Sequence, residues 1–450
     1  MERTHLMEST RKALRKYTIT TVLNQYDADL LGLSKDHQRT KYQKMAKSPF
    51  QFFRGSAYLF YFDVMQLPIS FNTPPDKPTR LQGDLHFENF GAFMNQDGEI
   101  VFDANDFDEG YVGSYLYDVF RMTASIALYS EQLGYDENGQ EQWIRHYVEA
   151  YVNQLKNFAA AVDPSTFTFT ETNTEGPVRD ILQQIRERNA EEALMNVTTI
   201  ENGRRRFKTS DSMIALDPKE RMAFEEVWPA YLASLGERAK GKDYFEVKDV
   251  VKKIGSGTGS IGLTRYYVLI EGEKDGRHRD DIVLEAKEAR APAPSHLYKF
   301  ENVDDRYTHQ GRRVVETQRA MQYLEDPFLG YFSIDGHDFY VREFSPFVGE
   351  LDAEPLAAAE NMKHTVETMG KVTAKFHARA DIDAEDDLLN HDSEQAILEA
   401  IGENIEPFVA ELVKWALYYK IRVHEDHQLF LDWLEEEFQS TADHTKADVN

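Results

Sequence analysis

The chain has 450 residues, 41% hydrophobic and 12% aromatic, which is enough apolar material for a core and excludes wholesale disorder. It carries 51 Lys and Arg against 78 Asp and Glu, a net charge of −27 at pH 7. That field repels nucleic-acid phosphates and anionic lipid, so any anionic ligand needs a locally built positive site. Cysteine is absent, which excludes disulfide scaffolds, thiolate metal sites and cysteine nucleophiles.

No segment reaches the ~18–20 apolar residues of a membrane span. The opening MERTHLMESTRKALRKYTIT has charges where a signal peptide has its apolar stretch, so a cytoplasmic protein is expected. Residues 1–47 are polar, with modest helical periodicity. Ser48 and Pro49 sign a helix start as N-cap and first-turn residue, and the run to Met65 is apolar nearly all round, as in a helix buried on most sides. Arg54 lies inside that run. A buried charge must be paired, so Arg54 needs Asp63 or another carboxylate, an acidic loop at a functional site, or a phosphate.

A short strand leads into residues 83–91, followed by a turn at Asp97-Gly98 and a returning strand at 99–102. That strand runs into Asp103-Ala104-Asn105-Asp106-Phe107-Asp108-Glu109. Helices are predicted over 114–130 and 139–161, and Asp217 with Glu220 forms a capping box for a helix ending near Gly236. Asn202-Gly203 marks a turn before the basic stretch 204–208, a hairpin face or an anion site. Between 244 and 289 the pattern becomes an antiparallel meander of strands 245–254, 263–271 and 281–289, with a glycine-rich first turn. Helices follow at 310–324, 355–380 and 394–438, with a strand at 338–344 and a disordered tail over 441–450.

The strongest chemical signal is the pair of acidic segments around the 95–102 turn. Asp84 and Asn89 are five positions apart, and Asp106 follows the next strand. Phosphoryl transfer with Mg²⁺ uses such a set: one carboxylate at the acceptor hydroxyl, and a carbonyl oxygen plus a second carboxylate on the metal. The plain alternative is solvated loops whose side chains cap turns. Gly257, Gly259 and Gly262 lie between two antiparallel strands, which excludes a dinucleotide-binding turn and matches a lid over ATP phosphates. Lys287 on the next strand would then contact phosphates, with Glu316 as its acidic partner on a following helix. Glu285, two positions earlier, is an acid close to that phosphate path. His424 and His427 are three apart with no third ligand in view.

Gly83-Asp84-Leu85-His86 through Asn89 resembles the catalytic loop of aminoglycoside phosphotransferases and choline-kinase-like enzymes, with Gln82 where their pattern begins with His. Asp106-Phe107-Asp108 resembles the metal-binding Asp-Phe-Gly of kinases, with Asp in the last place, and Asp118 resembles the structural Asp that follows. The segments 48–55, 83–91, 105–109, 287–289, 310–318, 339–342 and 376–379 are similar, in order and spacing, to a bacterial family of unknown function, number 2252 in its series, grouped with the kinase-like fold.

The resemblance implies an α+β, two-lobed protein-kinase-like fold. Because the catalytic loop precedes the glycine loop, it also implies a circular permutation. Residues 1–47 would be a helical extension, 48–240 the helical lobe, 241–345 the strand lobe and 346–450 returning helices. Either 355–380 or 49–66 would be the helix that precedes the catalytic loop in space. The implied activity is an ATP- and Mg²⁺-dependent phosphotransferase acting on a small-molecule or protein hydroxyl. Asp84 would be catalytic. Gly257, Gly259, Gly262, Lys287 and Glu316 would serve the nucleotide, and Asn89, Asp106 and Asp108 the Mg²⁺. A nucleotide-binding regulatory module and an AMP transferase are the alternatives. The partners would be a nucleotide and an acceptor, with no nucleic acid and no membrane.

Overall fold

Strands and helices are built here from the turn signals and periodicities of the sequence. The computed structural model describes residues 2–241, 243–255, 261–273, 280–384 and 386–447. The architecture is mixed α+β, with many helices and antiparallel sheets. Among the described residues no helix is long and apolar enough to cross a membrane.

The largest sheet has six strands in the order Gly330–Ile334, His337–Glu343, Ile282–Ala289, Arg265–Ile270, Val247–Lys253 and Met213–Ala215. The expected meander forms its centre. Lys287 is in register with Tyr340 on one side and Arg265 on the other. Side chains alternate between the faces of a strand. Leu284 and Ala286 pack, with Tyr266, Phe332 and Phe339, against Phe224, Trp228 and Tyr231 of helix Pro218–Leu235. Glu285 and Lys287 therefore face the opposite side.

That helix starts at the capping box of Asp217 and Glu220 and ends at Gly236, as the sequence predicts. It packs on the sheet, and the edge strand Met213–Ala215 also precedes it, so the sheet unit begins well before the expected boundary at 241. The hairpin Thr198–Glu201 and Arg204–Phe207 turns at Asn202 and Gly203, both with positive φ. Its Arg205 is buried and pairs with Asp281 at 3.1 Å.

Two smaller sheets position the acidic segments. Thr79–Leu81 pairs with Tyr111–Gly113. Phe90–Met94 pairs with Ile100–Ala104 and, on its other side, with Val348–Gly349. Loops 82–89 and 105–110 thus run between the same two strand pairs, which holds them side by side.

The helical body contains the largest core. Helices Glu137–Ala160 and Ala359–Arg379 approach so closely that a Cβ on Gly370 would collide with the Tyr147 carbonyl oxygen. The apolar run after Ser48 forms two helices, Pro49–Gly55 and Ala57–Val64. The break lies at Ser56, next to Gly55, where the Met45 side chain leaves no room for a Cβ. The expected helix 394–438 is likewise divided into Ser393–Ile401 and Glu406–Ala447, with Gly402 at φ +81° between them. The second helix occupies most of the tail expected to be disordered.

Lys375 and Asp103 join helix Ala359–Arg379 to strand Ile100–Ala104 in a buried ion contact, and Lys375 Nζ also donates to the Met321 carbonyl at 2.7 Å. Burial pushes Lys375 down and Asp103 up, and their mutual attraction opposes both shifts. Removing one partner leaves the other charge buried and unpaired. Lys375→Met is expected to cost about 3–5 kcal/mol in urea unfolding, and Lys375→Met with Asp103→Leu to recover most of that loss.

Candidate functional site

Asp118, fully buried in the first turn of helix Leu116–Gln132, accepts hydrogen bonds from the backbone N–H of Gln82 (2.7 Å) and Gly83 (2.9 Å). Gly83 has φ +91°, and a Cβ there would collide with the Glu109 carbonyl oxygen, so glycine is required where the two loops press together. Gln82 accepts from the Asp84 N–H at 2.9 Å and donates to the Asp106 carbonyl at 2.6 Å. Asn89 donates to the Asp84 carbonyl at 2.8 Å, and the Asn105 N–H donates to the Asn89 carbonyl at 3.1 Å. These bonds bring Asp84, Asn89 and Asp106 into one cluster. Behind Asp118 lies His377, 3.3 Å away on helix Ala359–Arg379, and the Tyr151 hydroxyl is 3.0 Å from His377 Nδ1.

Asp84 is gripped by Arg121, whose Nε donates to Oδ1 at 2.5 Å. Arg121 is fully buried, donates to the Phe53 carbonyl at 3.2 Å, and lies 4.4 Å and 5.1 Å from the ring centroids of Phe53 and Phe60. Burial pushes the Asp84 carboxyl up, and Arg121 works against that shift. Arg54 contacts Glu88, and its Nε is 3.3 Å from His86 Nε2. Its partner is the acidic loop. Asp63, the other candidate, pairs with Arg15 at 2.7 Å and Arg422 at 3.3 Å.

Lys287 contacts Asp108 directly. It is buried, with Nζ 5.7 Å from the centroid of the Tyr340 ring. Burial pushes Asp108 up, but the Lys287 charge outweighs it and holds the carboxyl below the usual range. Asp106 shows the reverse: burial, then the Asp108 charge, push it up. Asp106 Oδ1 accepts from the Asp108 N–H at 3.1 Å. Asp108 Oδ1 is buried with no hydrogen-bond partner among the described residues.

The expected Glu316–Lys287 pair does not form. Glu316 is held by Arg312 at 2.6 Å and Arg306 at 3.0 Å, and Lys287 meets Asp108 instead. The residue of helix Gln310–Met321 that reaches the acidic loop is Arg313, which donates to the carbonyls of Gly110 (2.6 Å), Asp108 (2.7 Å) and Arg290 (2.9 Å). Glu285 is neutralised by Arg342 at 2.9 Å and Arg265 at 3.3 Å. Gly262 has φ +79° and packs against Leu33 and His37, while Gly257 and Gly259 lie outside the described residues. His424 pairs with Glu131 at 2.5 Å and His427 lies 3.2 Å from the Ala46 carbonyl, so they do not converge. Among the described residues no three His, Asp or Glu side chains form a metal cage.

A cavity of about 320 Å³ opens between the loops and the sheet, bounded by Asn89, Asp106, Tyr340, Arg342 and Glu343. A smaller one of about 80 Å³ lies beside Asp84, Asp108 and Glu109. Arg121 escaped the sequence reading, although the signal that singles out Arg54, a cation in an apolar helix, applies to it equally. Gln82 acquires its double tie only once the loops are adjacent.

The family model described as "Uncharacterized protein conserved in bacteria (DUF2252)" matches residues 34–433. The chain belongs to this family. No curated protein and no solved structure matches the chain. Asp84, Asn89, Asp106, Asp108 and Lys287 all lie inside the DUF2252 match, whereas residues 1–33 precede it.

At the rim of the larger cavity the Glu343 N–H donates to Asp326 at 2.5 Å. Burial raises Asp326 to about 6, and burial with the Asp326 charge raises Glu343 to about 8. A raised carboxyl favours the folded state when protonated. Its penalty is absent below the unfolded pKa of about 4.3 and grows as pH rises toward the folded value. Glu343→Gln should therefore leave stability near wild type at pH 4 and raise it by about 1 kcal/mol or more at pH 8, measured by urea unfolding at both pH values.

Proposed function

We propose that this protein is an ATP- and Mg²⁺-dependent phosphotransferase with a two-lobed, circularly permuted kinase-like arrangement. The contact between Lys287 and Asp108, 179 positions apart in the chain, is the observation that carries this reading. It puts the lysine that follows the glycine-rich connection onto the acidic loop, beside Asp84, Asn89 and Asp106. The sheet, with segment 340–344 at its edge, would be the strand lobe, and the helices on either side of it in sequence the helical lobe.

The donor set fits a hard divalent cation. Two crowded carboxylates and an amide oxygen meet the preference of Mg²⁺ for oxygen ligands, and Asp108 Oδ1 is left without a donor. Asn89, Asp106 and Asp108 would hold the metal. Lys287 would exchange Asp108 for phosphate oxygens, and Gly262 would serve the nucleotide with Gly257 and Gly259. Mg·ATP, when bound, supplies the activated phosphoryl group. Asp84 orients the acceptor hydroxyl and receives its proton, while Arg121 fixes the carboxylate in position. Gln82 and Asp118 hold the loop that carries it. The acceptor is a small-molecule or protein hydroxyl.

A second reading, nucleotide binding without turnover, is favoured by the grip of Arg121 on Asp84, because a neutralised carboxylate is a weak base. Transfer of AMP instead of phosphate is distinguished by the mass of the product.

ATP is expected to stabilise the protein weakly alone and strongly with Mg²⁺, since the carboxylates at 106 and 108 repel bare triphosphate. At ~100 times the dissociation constant the gain should be about 2.7 kcal/mol. Equal thermal shifts with and without Mg²⁺ would contradict the metal assignment.

Asp84→Asn should retain Mg·ATP binding and lose turnover by about 100-fold or more, whereas Asp106→Asn should weaken binding itself by at least about tenfold. Calorimetry on both variants, together with phosphate release, checks the division of roles. Loss of binding in Asp84→Asn, or intact binding in Asp106→Asn, would refute it.

A further inference from the structure

The smaller cavity beside Asp84 is lined in part by residues that precede the family match. Tyr26 stands in the π-helical turn Gln25–Leu30, just before the DUF2252 match, and turns of this type recur at functional sites. Its ring stacks on Tyr58 with centroids 4.5 Å apart and planes 9° apart, and meets the edge of His296 at 6.1 Å. The side chain is 7% exposed.

Tyr26 shares the wall of the 80 Å³ cavity with Asp84, Asp108 and Glu109. Burial raises its phenol well above the ordinary value, with the Glu109, Asp27 and Asp84 charges adding to the shift, so the group is a neutral O–H at pH 7. The segment that carries it is latched. Arg290 donates to the Leu31 carbonyl at 2.5 Å and to the Gly262 carbonyl at 3.1 Å, which ties the residues after Tyr26 to the end of the glycine-rich connection. A cavity this small is well under the ~300–1,000 Å³ of ordinary small-molecule sites.

We propose that Tyr26 is an acceptor hydroxyl for the site, phosphorylated in cis from Mg·ATP. This rests on the phosphotransferase reading above. In the step the Tyr26 Oη–P bond forms and the bond from the γ-phosphorus to the β,γ-bridging oxygen breaks. The electron pair leaves with ADP, and the hydroxyl proton passes to Asp84. Lys41, Arg54 and Arg290 line the same cavity; each is paired with a carboxylate, Asp27, Glu88 and Glu288 in turn, which the new phosphate would displace.

The test incubates the full chain with Mg·ATP and maps the modified peptide by mass spectrometry, with calorimetry of Mg·ATP run in parallel. One phosphoryl group is expected on Tyr26, at a rate constant independent of protein concentration. Tyr26→Phe, which keeps the Tyr58 stack, should abolish it, and Asp84→Asn should slow it by at least about 100-fold. Bound Mg·ATP with Tyr26 unmodified, or a rate that rises with protein concentration, overturns the inference and leaves the nucleotide site standing. Absence of Mg·ATP binding overturns both.

Discussion

A lysine buried in a sheet needs a counter-charge, and Lys287 finds it in Asp108. Burial disfavours both charged forms, yet their attraction keeps Asp108 ionised and Lys287 raised. The requirement fixes where the sheet can sit. Alternation along strand Ile282–Ala289 sends Leu284 and Ala286 to the apolar helix and leaves Lys287 facing loop 105–110. Arg313 reinforces the same junction by capping three carbonyls, two of them in that loop. Glu285, on the same strand face, is neutralised by Arg342 and Arg265 and so does not compete for Lys287.

The second constraint is mechanical. Loops 82–89 and 105–110 are clamped at both ends by strand pairs and cross-tied by Gln82 to the Asp106 carbonyl and by the Asn105 N–H to the Asn89 carbonyl, while the Asp118 carboxylate anchors the first loop to its helix. A fully buried aspartate that accepts two backbone N–H bonds is a rigid anchor, because breaking those bonds would leave three polar groups unsatisfied in the core. Preorganisation of this kind suits a site whose chemistry depends on positioning. The two acids that the clamp presents differ in environment: Asp84 answers to Arg121, and Asp106 is crowded by Asp108.

Much of this was legible in the residues. The capping box at Asp217, the turn at Asn202-Gly203 and the meander of three strands depend on local chemistry, and local chemistry is what a sequence displays. The grouping of Asp84, Asn89 and Asp106 followed from a hairpin with a short turn. Partner choice was less accessible. Glu316 has the right charge and lies on the right helix, but Arg306 and Arg312 reach it first, and no periodicity announces that competition. The start of the sheet unit was misplaced because strand Met213–Ala215 has only three residues, too few to display alternation. Tyr26 lay in a stretch with no strong pattern, and its place beside Asp84 is visible only in three dimensions.

The central claim is that one triphosphate bridges Lys287 and the acidic loop. A crystal structure of the full chain with Mg²⁺ and a non-hydrolysable ATP analogue tests it most directly. The account predicts phosphates at Lys287, metal on Asn89, Asp106 and Asp108, and the base against residues 343–345 in the larger cavity. A nucleotide bound elsewhere, or a Lys287–Asp108 contact left intact at saturating nucleotide, would contradict it.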